Sequence, residues 1–192
     1  MRSAFFLSLL LLPGMASAQP PQKPAPKSAP KPKAVESEAD LLAQLKKADS
    51  AEAAKPIEEK LALLYRASGS ASVDLLMTRA RSLVVSDRKA ARKLINSVTN
   101  IAPRYAEGWR TRAALESAMG EDAAAMVSLQ KTVQLNPRHF MAMVELGDLL
   151  QEYGDKAQAL KLYRQAVALH PQMEGAEIRI RELTRAVEGR DI

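Results

Sequence analysis

The chain has no cysteine among its 192 residues. That excludes a disulfide scaffold, a thiolate zinc site, a cysteine nucleophile and a lipid-modified cysteine. Only two histidines are present, which excludes most histidine-rich metal sites. Aromatic residues make up 4% of the chain and glycines number eight. No Gly-rich phosphate loop, H-E-x-x-H or G-x-S-x-G motif occurs. This composition speaks against an enzyme, and no metal or cofactor is expected. Beyond the first dozen residues there is no long hydrophobic run. An excess of one charge sign is also largely missing once the formal +6 is located. Arg2, Lys23, Lys27, Lys31 and Lys33 precede Ala34, and the rest of the chain holds 23 basic against 22 acidic residues. The pI near 9.6 therefore does not argue for nucleic acid. One local exception runs from Arg79 to Arg112, with nine basic residues and only Asp87 and Glu107 as acids.

What is there begins with a leader. Residues 1–18 read MRSAFFLSLLLLPGMASA: a positive Arg2, an apolar run from Ala4 to Leu12, a Pro13-Gly14 break and a small-x-small Ala16-Ser17-Ala18. This is the pattern of a secretory signal peptide. The apolar run is shorter than the ~20 residues a membrane span needs. Cleavage is expected after Ala18, leaving a mature exported, periplasmic protein that begins at Gln19. Residues 19–35 follow as a Pro/Lys-rich linker. Proline there fixes φ and removes donors, and too little apolar bulk is present to offset ordering. At ~3.1 Å per residue such a spacer reaches roughly 45 Å. Its lysines give it a possible contact with anionic envelope polymers or lipid head groups.

Pro103, Pro137 and Pro171 then stand 34 residues apart. The same period relates Ala91, Ala125 and Ala159; Ile95, Leu129 and Tyr163; Val98, Thr132 and Ala166; Ile101, Leu135 and Leu169; and Leu75, Trp109 and Met143. Ser86-Asp87, Gly120-Glu121 and Gly154-Asp155 mark a turn inside each unit. Small residues at 91, 125 and 159 let paired helices approach closely, and apolar residues four and seven positions on share their face. One such pair cannot bury its apolar faces alone, so about three must stack.

This pattern resembles the tetratricopeptide repeat. The third copy carries it best, with Leu146-Gly147, Gly154-Asp155, Ala159, Tyr163, Ala166 and Pro171 in place. The second departs at Arg112-Ala113, and the first at Thr78-Arg79 and Ser86. The stretches GSASVDLLMTRA, AEGWRTRA and NPRHF also resemble small exported repeat proteins of alphaproteobacteria. The resemblance implies an all-α fold: an α-solenoid of antiparallel helix pairs, a right-handed superhelix. The units span 72–105, 106–139 and 140–173. A degenerate helical hairpin over 36–71 is expected to extend the array, with Pro56 near a helix start. A capping helix over 174–189 carries Ile178, Ile180, Leu183 and Val187 on one face and Arg179, Glu182, Arg185 and Glu188 on the other.

The resemblance also implies a concave groove lined by the first helix of each unit. Carried over position by position, its ligand-facing residues are Val73, Leu76, Ala80, Leu83 and Val84 in the first unit. The second gives Glu107, Arg110, Ala114, Ser117 and Ala118, and the third Met141, Val144, Asp148, Gln151 and Glu152. The lysine–asparagine clamp that some family members use for terminal carboxylates is replaced by Leu76 and Ala80. Trp109 and Met143 fall at packing offsets. Glu145, Asp148 and Glu152 form an acidic stripe best read as a solvated face. His139 and His170 fall in turns. These readings point to a non-enzymatic scaffold that binds a protein or peptide partner. Apolar burial would supply affinity, and Arg110, Asp148 and Glu152 selectivity. The alternative is an envelope-polymer or membrane-surface binder acting through the linker and the Arg79–Arg112 patch.

Overall fold

The computed structural model describes residues 36–189. The leader and the proline-rich spacer lie outside the described residues. Within them the chain forms nine helices and no strand: α1 (Glu38–Lys46), α2 (Ala51–Arg66), α3 (Ala71–Leu83), α4 (Arg88–Ile101), α5 (Ala106–Ala118), α6 (Asp122–Leu135), α7 (Phe140–Glu152), α8 (Lys156–Leu169) and α9 (Ala176–Glu188). None is long and apolar enough to cross a membrane.

Local sequence sets the helix starts. Ser37, Ser50, Asp87 and Asp155 accept hydrogen bonds from backbone N–H groups of the first turns of α1, α2, α4 and α8, satisfying donors that have no helical partner. Helix α2 starts at Ala51, earlier than Pro56 suggests. Ser50 caps it, and the proline falls where only the carbonyl of Glu52, in the first turn, loses its helical donor. Gly120 and Gly154 have φ of 74° and 90° and end α5 and α7 in a left-handed conformation that a side chain would oppose.

From α3 onward each helix packs on the next in sequence, through to α9. The repeat register becomes the core. Ala91, Ala125 and Ala159 are completely buried, and Ile95, Leu129 and Tyr163 nearly so. Val98, Thr132 and Ala166 close the same seam. Helix α9 lays Leu183 and Ile180 on Ala159, Leu160 and Tyr163. Ile178 and Val187, expected on the buried face, are exposed. Arg179, expected on the polar face, instead turns back to bond Tyr163 and Asp148.

The α1–α2 hairpin does not head this stack. Its residues Leu41, Leu42, Leu45, Leu61 and Tyr65 join Phe140, Met143 and Ala166 of the third unit in one cluster. No residue of α1 or α2 enters the apolar clusters that hold α3. Equivalent positions register the consequence. Leu75 is 70% exposed, Trp109 half-buried and Met143 3% exposed. Ile101 is 65% exposed, whereas Leu169 packs beside the hairpin. Each side chain is covered to the extent that a neighbour lies on its unit, and the first unit has none before it.

Candidate interaction surface

The first helices α3, α5 and α7 carry a ladder of charges across the repeats. Glu107 is 4% exposed and accepts a hydrogen bond from Arg110 Nε at 2.9 Å. Arg81 approaches it at 3.7 Å. Arg110 also donates through Nη1 to Glu145, one repeat further on. His139 completes the set. Its Nδ1 accepts the N–H of Ala142 at 3.3 Å and so caps α7. The proton is thereby assigned to Nε2, which lies 3.3 Å from Glu107. Burial pushes the Glu107 carboxyl up, but hydrogen bonds from His139 and Arg110 outweigh it and bring the group down to about 2. Glu107 is thus a buried anion that locks α3, α5 and α7 together.

A second knot sits one unit on. Tyr163 donates to Asp148, and Arg179 donates both to Asp148 and, at 2.9 Å, to the Tyr163 oxygen. Burial, then the bond to Asp148, pushes the tyrosine up to about 12.

These contacts sort the groove residues implied by the repeat. Ala80 is sealed between α3, α4 and α5, and Val73 is buried with Met77 and Val98. Neither can touch a partner, because the close helix contacts of the first unit consume those offsets. Leu76, Leu83 and Val84 are half-buried against the same clusters. Glu107 is buried, and Arg110 and Asp148 have their charges engaged, so these three are structural before they are selective. Met141 and Val144 are half-buried against the α1–α2 cluster. Ala114, Ser117, Ala118 and Glu152 are exposed and Gln151 is half-buried. Of the three charges expected to select a partner, Glu152 alone has no ion pair among the described residues. The acidic stripe is likewise partnered at Glu145 and Asp148.

Other expectations also shift. Trp109 is half-buried rather than core; its Nε1 donates to the Pro103 carbonyl at 3.0 Å and Arg112 lies over its ring. The basic run from Arg79 to Arg112 is largely consumed. Arg81, Arg92, Arg110 and Arg112 face carboxylates, and Arg88 bonds the Ala118 carbonyl. What sequence reasoning missed is the part the two histidines play. Both are buried under α2. Tyr65 stacks on His139 with centroids 4.4 Å apart, and Glu58 lies 2.8 Å from His170 Nε2. Glu38 accepts from Asn136 at 2.8 Å and from Tyr65 at 3.0 Å. One signal was available for the ladder: Arg110 and Glu145 are opposite charges 35 residues apart, about one repeat.

No protein-family model matches the chain. A TPR repeat-containing protein of Rhizobium etli is 28% identical over 150 residues, covering 78% of this chain and 74% of the relative. Among solved structures, MamA aligns over 61% of this chain and 68% of its own, with a TM-score of 0.55 and 19% identity. This is a tetratricopeptide-repeat fold. The first TPR of Spaghetti (RPAP3), solved with an HSP90 peptide, matches over 60% of this chain and 93% of its own, with a TM-score of 0.55 and 17% identity. The Yersinia enterocolitica type III secretion chaperone SycD, solved with a peptide of the translocator YopD, matches over 62% and 94%, with a TM-score of 0.53 and 17% identity. Tetratricopeptide folds commonly mediate protein–protein interaction.

Proposed function

We propose that this protein is a non-enzymatic scaffold, exported to the periplasm, that holds a segment of a partner protein against the groove side of its repeats. The observation that carries this reading is that the third unit already holds helices. Phe140, Met141, Met143 and Val144 of α7 pack beneath α1–α2, and two of them, Met141 and Val144, sit at ligand-facing offsets of the repeat. Two tetratricopeptide neighbours solved with bound peptides support the same use of the fold. On α5 and α7, Ala114, Ser117, Gln151 and Glu152 leave polar and small side chains in reach of a partner.

Photo-crosslinking in the exported full-length protein tests this. A crosslinker at Ser117 or Gln151 should capture a partner, and Glu152→Lys should reduce that capture. Crosslinkers at Val127 or Gln130, exposed on α6, should not capture the same species. Equal capture from all four positions would refute the groove reading. Arg110→Glu is a poor probe, because it would break the Glu107–Arg110–Glu145 ladder rather than report on binding. Export is tested by the N-terminus of the protein recovered from the periplasmic fraction, which should be Gln19. Retention of 1–18 in a cytoplasmic product would refute it.

A further inference from the structure

We propose that the α1–α2 hairpin is a built-in occupant of the interaction surface, and that the partner is an amphipathic helix which displaces it. This rests on the groove reading given above and supplies its regulation and the chemistry of its ligand.

Three observations carry the proposal. First, the stack is complete without the hairpin. Of five apolar clusters among the described residues, four contain no residue of α1 or α2, and the repeat seam at Ala125, Leu129, Ala142 and Leu146 lies within one of those four. Removing the hairpin uncovers Phe140, Met143 and Ala166 and leaves the buried residues of the other four clusters in contact with one another.

Second, the hairpin leaves open clefts at its edges. One of about 490 Å³, open to solvent, lies between the end of α2 and the α4–α5 turn, reaching His139. Another of about 350 Å³, also open, lies between the start of α2, α7 and the turn after α8. His170 is 2% exposed, yet its Nδ1 has no hydrogen-bond partner. A buried polar atom left so is costly, and an occupant able to donate to it would gain on the hairpin.

Third, the polar attachment is sparse. Glu58 meets His170, Glu38 meets Asn136, Tyr65 stacks on His139, and Tyr105 donates to the Arg66 carbonyl at 2.7 Å. Arg138 adds an ion pair to Glu38 at 3.9 Å and its carbonyl accepts from the Tyr65 hydroxyl at 3.5 Å. The apolar contacts of Leu41, Leu42, Leu45 and Leu61 complete the attachment, and a different helix can reproduce them.

The hairpin itself specifies the ligand. Ile57, Leu61, Leu64 and Tyr65 present an apolar stripe at i, i+4, i+7 and i+8, with the Glu58 carboxylate at i+1 facing His170. A partner helix with that stripe and that acid fits the same face. Such a ligand competes with a tethered rival, since the short 67–70 connection keeps the hairpin at high effective concentration. The apparent affinity is lowered by the fraction of molecules in which the face is closed.

Two measurements test this in the full chain. The probe is a fluorescent synthetic peptide of residues 36–68. Wild-type protein should bind it weakly. Leu42→Asp combined with Tyr65→Ala alters only the hairpin and should raise affinity for the peptide at least tenfold, whereas a peptide with Glu58→Gln and Leu61→Asp should not bind. Equal binding by the two proteins, or loss of helix in the repeats of the double variant, would overturn the proposal. The second measurement is hydrogen exchange on wild-type protein. Amides of α1 and α2 should exchange at least tenfold faster than those of α6–α8; a common rate would overturn the proposal. Failure here is distinct from failure of the groove reading. A hairpin that opens and binds its peptide, with no foreign species crosslinked at Ser117 or Gln151, sinks the groove reading alone. Crosslinked partners with a hairpin that never opens sink this proposal alone.

Discussion

Glu107→Gln should cost this protein about 3 to 4 kcal/mol at neutral pH. Glutamine keeps the length and one acceptor oxygen of Glu107 but carries no charge, so it mimics the protonated acid. The carboxyl titrates at about 2 in the folded protein against an ordinary 4.5. That difference of about two and a half pH units, at ~1.4 kcal/mol each, gives the figure. Its physical source is the loss of charge-assisted bonds from Arg110 and His139, and of the nearby anion that Arg81 approaches at 3.7 Å. The sign fixes the pH dependence. The folded-state value is depressed, so the stabilisation is fully present above pH ~4.5 and is lost as pH falls towards 2. Wild type and variant should therefore differ most at pH 7 and converge across that acid window. Urea unfolding followed by circular dichroism at pH 7, 4 and 3 measures both. A variant as stable as wild type at pH 7 would refute the reasoning. So would a gap that stays constant from pH 7 to 3, which would reduce the effect of Glu107 to packing.

Gly147→Ala places a Cβ 3.2 Å from the Tyr163 ring, which Asp148 and Arg179 hold in place; despite alanine's better helix propensity it should destabilise by about 1 kcal/mol in thermal unfolding, and a rise in melting temperature would count against this packing. Gly154→Ala meets no neighbour but must adopt φ near 90°, so its cost of about 1 kcal/mol is purely backbone; an unchanged denaturation midpoint would show that the α7–α8 turn relaxes. Arg112→Ala uncovers the single tryptophan, so acrylamide should quench Trp109 fluorescence more strongly than in wild type; unchanged quenching would show that the guanidinium does not shield the ring.

The repeat was legible because its information is local. A small residue at 91, 125 or 159, with residues four and seven positions on that are apolar except for Thr132, fixes which face of a helix is buried whatever lies beyond it. Those nine positions are buried in the structure. The turn glycines at 120 and 154 were equally readable, since a left-handed backbone is a property of one residue. The candidate groove was legible only as a set of offsets. Offsets do not tell which side chains neighbouring repeats consume, and so Ala80, Glu107, Arg110 and Asp148 looked available.

What the sequence by itself determined is the helical period, the close pairing of helices and the seam that each unit buries. Tertiary structure alone decided where α1–α2 goes. An amphipathic hairpin needs an apolar surface but does not name one, and both α3 and the third unit offered it. Leu75 stays exposed while Met143 is covered, because the face of α7 and α8 offers Phe140, His139 and His170 to Leu61, Tyr65 and Glu58 at once. That match joins residues about 70 to 110 positions apart, beyond the reach of any periodicity in the chain.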